Sequence, residues 1–505
     1  MTGMTGRAEV VVVGASVTGL MAALALANRG VAVEVVDADP AVGDDPEELG
    51  GAHGPPSEEG RRRARRATPQ AGHSHAFLAR SRALLAAEAP EVLDGLRAAG
   101  CRELALADHR PATVPRHTAP ASDADLVVVA ARRTTYEAVL RGAARRHAEI
   151  RLVAGRRASG LVVDHEGAVP HVRGVAFDDG DPVAARLVID ASGRRTPMPG
   201  WLAEQGVHLD DAAVECGITY LTRFYRRAPG APELPLNRGF AAGGSFDRYS
   251  CLVFPGDAGT FSVTFGVLPE DRSLRPLRDG AAFNAAVRTI PSLAPWVDTE
   301  HGGAISEVRT MAGLLNRIRR PAPDGRPAVL GWTAVGDAAA TTNPAHSRGC
   351  TLGAIHAVAV AEALVEHDDA ADLAEACAAV VEREQAPWVA DSIEQDRQRL
   401  ARWRPDGGTA DTADTADTAD GGGAGPAPGW LSNGEAYVAA QHDAYVWRRF
   451  TRLQQLFDRP GDVLADPRVV ARVRAVQAAR RPNPPIEGPS HDDLVELLGA
   501  TASVA

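Results

Sequence analysis

The apolar pattern is densest near the start of the chain. Val10–Val13 is a β-branched run with no polar interruption, as in a strand buried on both faces. Gly14, Ala15, Ser16, Val17, Thr18 and Gly19 follow as a tight turn, and residues 20–28 are rich in Ala and Leu, as a helix is. Gly30 stands just past that helix as a left-handed cap, and residues 31–36 form a second apolar strand ending in an acid, Asp37. Strand, glycine turn, helix, strand and acid in this order predict a βαβ unit that binds a dinucleotide. Gly14 permits the turn and Gly19 lets helix and strand approach closely. The helix N-terminus offers free N–H groups and partial positive charge to a pyrophosphate. Asp37, about 20 residues beyond the turn, can accept the hydroxyls of a ribose. Ser16 occupies the place of the usual middle glycine, so a Cβ must be tolerated near the phosphates.

Further on, residues 39–57 read as a loop, and 58–66 carry a dense arginine cluster that includes Arg65. His73 and His75 precede a helical pattern over 76–89; two residues apart, they would face different ways on a helix, which argues for capping or ligand contact rather than metal binding. Residues 125–130 read as a strand and 134–147 as a helix. Arg133 lies where strand becomes helix and can reach a phosphate or ribose, the alternative being a helix-surface arginine. Residues 150–153, 161–163 and 172–177 read as strands of a small meander, and Leu187–Asp190 as a strand ending in an acid. From 206 to 307 the texture is β-branched and aromatic, with strands over 217–225, 249–254 and 260–268 and a helix over 279–290. A second turn-rich motif runs from 328 to 355: a strand ending at Gly336 and Asp337, a loop holding Pro344, and a helix beginning near Gly349. Its carboxylate can bind a polyol hydroxyl, and its helix N-terminus can face an electron-rich ring carbonyl. Alanine-rich helices follow. A four-fold TAD repeat over 409–420 and a Gly/Pro-rich stretch over 421–429 read as disordered, and 430–495 as helical, with core-type aromatics.

Composition narrows the partners. At 505 residues the chain has room for two or three domains, and its net charge of -11 argues against nucleic acid or an anionic membrane. Five cysteines without a CxxC spacing indicate neither zinc nor a disulfide framework, which fits a reducing cytoplasm. The N-terminal residues show no signal-peptide pattern, and polar residues break the first apolar stretch, so no membrane span is expected there. All 54 basic Lys/Arg-type residues are arginine; the chain has no lysine, which closes any mechanism needing a lysine amine.

Taken together, GASVTGL with Asp37, the Arg133 segment and VGDAAATTNPAHSRGCTLG resemble the FAD-dependent monooxygenases of the p-hydroxybenzoate-hydroxylase type. RRATPQAGHSHAFL, VIDASGRRTP and ITYLTRFYRR are closer to an actinobacterial branch that includes epoxidases and hydroxylases of polyketide tailoring. The resemblance spans roughly residues 9–384. It implies an α/β architecture: a Rossmann-like, glutathione-reductase-like FAD-binding domain (7–205 and 311–385), an interleaved mostly β substrate domain (206–310), and a helical C-terminal region (386–505) with a disordered insertion at 406–429. It also implies that Gly14, Ser16 and Gly19 hold the FAD pyrophosphate, Asp37 the adenosine ribose, and Arg65 and Arg133 the flavin nucleotide. Asp337 would take the ribitol or pyrophosphate edge, with Pro344 and Gly349 beside the isoalloxazine.

By the same resemblance, NAD(P)H docks transiently and reduces the flavin, and a C4a-hydroperoxide passes oxygen to an apolar or aromatic small molecule, without a nominated general acid or base. Ser347 replaces a usual glycine and His346 a frequent aromatic; His346 and Arg348 are candidates for tuning the flavin, and a covalent link through Cys350 is disfavoured. The alternatives are a flavin reductase or dehydrogenase without oxygen insertion and a flavin-binding protein that has lost catalysis. A halogenase is disfavoured because the family's halogenases use a lysine and a WxWxIP motif, both absent.

Overall fold

The computed structural model describes residues 9–42, 69–114, 121–404, 430–480 and 487–502. Arg65 with its cluster and the TAD repeat lie outside the described residues.

Five short strands form a parallel sheet: β1 (Val10–Val13), β2 (Val33–Asp37), β3 (Ile150–Ala154), β4 (Leu187–Asp190) and β5 (Trp332–Ala334), in the spatial order β5-β4-β1-β2-β3. On one face lie α1 (Val17–Ala27), α2 (Arg133–Arg146) and α3 (Gly349–Glu366), sharing one apolar core with the sheet. Nearly every residue of α1 is buried, which explains its all-round apolar composition. On the other face, a small antiparallel sheet of Ala158–Asp164, His171–Phe177 and Val183–Ala184 packs with Met198 and Trp332.

One expectation is corrected here. Residues 150–153 do not belong to the meander; they pair with β2 as the outer parallel strand, Ile150 opposite Val33. The preceding α2 supplies the crossover a parallel strand requires. Because an edge strand is half-exposed, its pattern is the same as that of a meander strand.

A six-stranded antiparallel sheet comprises Ala242–Ser245, Tyr249–Pro255, Thr260–Val267, Thr219–Arg227 and Gly302–Ala304, with Arg309–Met311 also pairing to Thr219–Arg227. One face carries Tyr249 and Phe265 against Phe283 of the helix Gly280–Arg288 and against Leu494 and Leu498 of the last helix, His491–Ala502. The strand Asp210–Glu215 pairs with Leu315–Arg320, which in turn pairs with Ala340–Thr341, so these segments form a separate three-stranded antiparallel sheet. The hairpin turn carrying Asp257 is locked to α2 by a two-pronged ion pair with Arg132, whose Nη2 donates to Oδ2 at 2.6 Å and whose backbone N–H donates to Oδ1 at 2.7 Å.

After α4 (Ala386–Trp403), the helices Asn433–Ala440, Ala444–Gln454, Pro460–Leu464 and Pro467–Ala478 pack over Leu352 and Trp388 and touch Phe240 and Phe254. Trp447 and Phe450 are core residues of this bundle, as helical spacing predicts. Among the described residues, α3 alone is long and apolar enough to cross a bilayer, but it lies largely buried against α1 and Ala370–Glu384.

Candidate functional site

The carboxyl ends of the parallel strands open onto a cavity of about 600 Å³, the place where open α/β sheets bind ligands. Its wall includes Gly14, Ser16 and Thr18 from the first turn and Asp37 at the end of β2. It also includes Arg133 at the start of α2, Asp337 after β5, and Pro344, Ser347, Arg348, Gly349 and Cys350. All the described residues expected to meet a dinucleotide are therefore in one wall except Gly19. Gly19 sits behind it: a Cβ there would stand 1.8 Å from the Gly14 carbonyl oxygen, so a glycine is required for α1 to approach the turn. Gly14 itself has φ +112°.

The N-termini of α1 and α3 both face this cavity and bring the positive ends of two helix dipoles to it. They are held together by Thr18. A Cβ on Gly353 would come within 2.3 Å of Thr18 Oγ1, and one on Gly336 within 2.7 Å. Seven arginines and two carboxylates contribute to the wall; Arg317 and Arg348 are ion-paired with Asp211 and Asp391 behind it, and the remaining excess of positive charge favours an anion.

Asp37 does more than face the cavity. Its Oδ2 accepts from the Ala15 N–H at 2.7 Å and its Oδ1 from the Asp39 N–H at 2.9 Å, so the carboxylate braces the glycine turn from β2. Arg133 is buried. Its Nη2 donates to Ser16 Oγ at 2.7 Å, Nε to Glu137 at 3.2 Å, and Nη1 to Cys350 Sγ at 3.4 Å. Burial opposes its charge, but Cys350, Glu137 and Asp337 keep its proton held above the usual arginine range. Burial raises the Asp337 carboxyl against the lowering pull of Arg133 and Arg194. Burial also raises the Cys350 thiol, so the sulfur is not an activated thiolate, in line with the disfavoured covalent link.

His73 and His75 lie in the extended segment before the helix Ala79–Glu88, not on it. Burial, then Arg133, pushes His75 down to about 3, so its ring is neutral. Arg133 Nη1 can only donate, so His75 Nε2 accepts at 3.3 Å; Nδ1 then carries the hydrogen and donates to the His73 carbonyl at 3.0 Å. His73, held at about 4 by burial, meets Thr222 Oγ1 at 3.0 Å. No group of three or more His, Cys, Asp or Glu that could hold a metal is found among the described residues.

The loop before α3 departs from expectation. His346 does not line the cavity; it sits among Arg348, Asp391 and Arg399, its proton affinity lowered to about 3 by burial and then by Arg348. Arg348 contributes to the wall, but its guanidinium turns away, donating to Asp391 at 2.5 Å and lying 4.8 Å over Trp388. Arg348 holds the Asp391 carboxyl below its ordinary range against the opposing effect of burial. A buried charge seeks its counter-charge, and the nearest one is on α4. Ser347 has φ +55°, the left-handed conformation in which glycine is unstrained.

Two features were not assigned from sequence. Thr18 gave no signal, because its role depends on two distant glycines. Arg194 and Arg195 did give one, an arginine pair in the turn after a strand ending in an acid. Asp190 folds that turn by accepting from Ser192 N–H and Oγ and Thr196 Oγ1, and both arginines reach the cavity wall.

No protein-family model matches the chain, and no curated protein matches it in sequence. Solved structures do match. p-Nitrophenol 4-monooxygenase PnpA from Pseudomonas putida superposes with a TM-score of 0.56 at 16% identity, covering 90% of this chain and 99% of that one. The myxobacterial chondrochloren halogenase CndH, an FAD-dependent halogenase, gives 0.54 at 14% identity, covering 91% and 99%. PqsL of Pseudomonas aeruginosa, solved with 2-aminobenzoylacetate, gives 0.53 at 16% identity, covering 80% and 98%. The chain therefore has the fold of these flavin-dependent enzymes over nearly their whole length.

Proposed function

We propose that the protein is an FAD-dependent monooxygenase that uses NAD(P)H and O2 to hydroxylate or epoxidise an apolar or aromatic small molecule in the cytoplasm, as part of secondary metabolism. The observation that carries this reading is the convergence of Asp37, the α1 N-terminus, Asp337 and the α3 N-terminus on one electropositive cavity. That donor set fits FAD from end to end. Asp37 suits the adenosine ribose, Ser16 with the α1 N–H groups the pyrophosphate, Asp337 the ribitol, and the α3 N-terminus with Pro344 and Gly349 the ring. FAD bound there supplies two-electron chemistry with NAD(P)H and O2.

The chain's own residues bind, orient and shield. Arg133 brings a fixed positive charge beside Ser16, where it would offset the negative charge of a bound pyrophosphate. His75, neutral with Nε2 turned to Arg133, adds no competing charge. The loop 344–350 closes the wall, and neither an ionised Cys350 thiolate nor a lysine amine stands in it. PnpA and CndH share the fold but differ in chemistry; a lysine-free chain favours oxygen transfer over the halogenase route.

Turnover under isotopically labelled O2 tests the proposal. One labelled oxygen atom in the product, with NAD(P)H consumed, supports it. Unlabelled product, or turnover that persists without air, overturns it in favour of a reductase or dehydrogenase.

A further inference from the structure

The loop over residues 343–349 has two sides. Its front meets the cavity through Pro344, Ser347 and Gly349. Its back sends Asn343 and Arg348, both buried, against α4. Asn343 donates to Asp396 Oδ1 at 2.5 Å through its side chain, and its backbone N–H reaches Ser392 Oγ at 3.1 Å. Arg348 pairs with Asp391 Oδ2 at 2.5 Å. Ser392 and Asp396 stand one helical turn apart, Asp391 adjoins Ser392, and all three are buried, so α4 presents a buried polar surface to this loop. Apolar residues of similar volume would often stabilise such an interface as well or better, so stability alone does not account for the polar contacts.

Asp391 has two further partners, the first being Gln395, whose Nε2 donates to Oδ2 at 2.7 Å. Asp391 Oδ1 accepts from Asn433 Nδ2 at 2.7 Å. Asn433 opens the helix Asn433–Ala440, whose start is fixed by a capping box between Ser432 and Glu435. One carboxylate therefore joins the loop beside the cavity to a helical region for which the sequence offers no motif.

We propose that Asp391 is a positioning residue, which holds the loop 343–349 in the conformation that faces the cofactor, and that Asn433 makes the C-terminal helical region part of that hold. The consequence for a flavin rests on the function proposed above; the positioning itself does not.

Two variants test it, Asp391→Asn, which keeps shape and removes charge, and Asn433→Ala, which touches Asp391 from outside the cavity wall. Hydrogen exchange is measured on the full chain without cofactor. About ten-fold faster exchange of the loop amides in both variants, with β1 and β2 exchanging as in the parent protein, supports the proposal. Loop exchange that stays at the parent rate while only 433–440 opens overturns it, because Asp391 then merely docks the helical region. Where the parent protein takes up FAD, the fluorescence yield of the bound flavin must also change in Asp391→Asn; an unchanged yield overturns the cofactor-facing part. A parent protein that takes up no FAD refutes the proposed function, while the exchange data still decide this inference.

Discussion

Arg133 Nη2 lies 2.7 Å from Ser16 Oγ and donates to it, joining the first residue of α2 to the residue that immediately precedes α1. The place where the glycine pattern is broken is thus also where the buried cation is anchored. A serine there costs little, because its hydroxyl gives Arg133 an acceptor that glycine lacks.

Replacing Arg133 with Gln removes the fixed charge and its charge-assisted bond. Such bonds contribute about 1.5–3 kcal/mol, so FAD should bind about 10- to 100-fold more weakly. Ser16→Ala keeps the charge and should cost less than Arg133→Gln. Isothermal titration of the cofactor-free protein with FAD measures both, and equal losses in the two variants would contradict the assignment of the charge as the main contributor.

Ser347 supplies a stability prediction. A non-glycine residue at φ +55° carries about 1 kcal/mol of strain, partly offset by the greater freedom glycine has in the unfolded chain. Ser347→Gly should raise stability by roughly 0.5 kcal/mol, and Ser347→Val should lower it by more than 1 kcal/mol because β-branching suits this conformation worst. Denaturant unfolding of the two variants decides the matter; no difference between them would mean the loop adopts another conformation in solution.

Thr18 and Gly353 form a packing pair. Gly353→Ala forces a methyl to within 2.3 Å of Thr18 Oγ1 and should destabilise the protein by about 1–3 kcal/mol. Adding Thr18→Ala removes the hydroxyl and should restore most of that loss, leaving only a tight 3.3 Å contact with the Thr18 Cβ. Strictly additive effects in the double variant would show that the two helices do not meet as described.

His356 sets a pH dependence. Its ring is fully buried within α3 with no partner at either nitrogen among the described residues, and burial lowers its proton affinity to about 4. In an unfolded chain a histidine titrates near 6.5. Above that value both states are neutral and the group has no effect. Between about 6.5 and 4 only the unfolded state takes up the proton, so stability falls as pH drops, by up to about 1.4 kcal/mol per pH unit. His73, at about 4, acts in the same direction. His356→Leu should raise stability near neutral pH by about 1 kcal/mol and flatten the acid loss. Denaturation midpoints near pH 7.5 and near pH 5 (both about) test this; an acid loss as steep in the variant as in the parent would contradict it.

The sequence made the first βαβ unit legible because its local pattern and its tertiary role coincide: Val10–Val13 is apolar since it is central, and Gly19 is a glycine since the turn's carbonyl lies against it. Ile150–Ala154 was misplaced because edge exposure looks the same in a parallel sheet and a meander. The side to which His346 turns was not legible for a different reason. A polar residue in a loop beside a ligand can face either way; here the ring lies among Arg348, Asp391 and Arg399, two of them far along the chain. Thr18 was invisible because its partners, Gly336 and Gly353, lie more than three hundred residues away.

The central claim is that this cavity holds a redox-active FAD. The most direct measurement is the visible spectrum of the purified protein, with FAD added where the protein is colourless, before and after NADPH in air. Flavin bands that bleach on NADPH and recover as O2 is consumed are the predicted result. A protein that stays colourless after FAD is offered would contradict the claim, leaving the fold as described and its chemistry to be sought elsewhere.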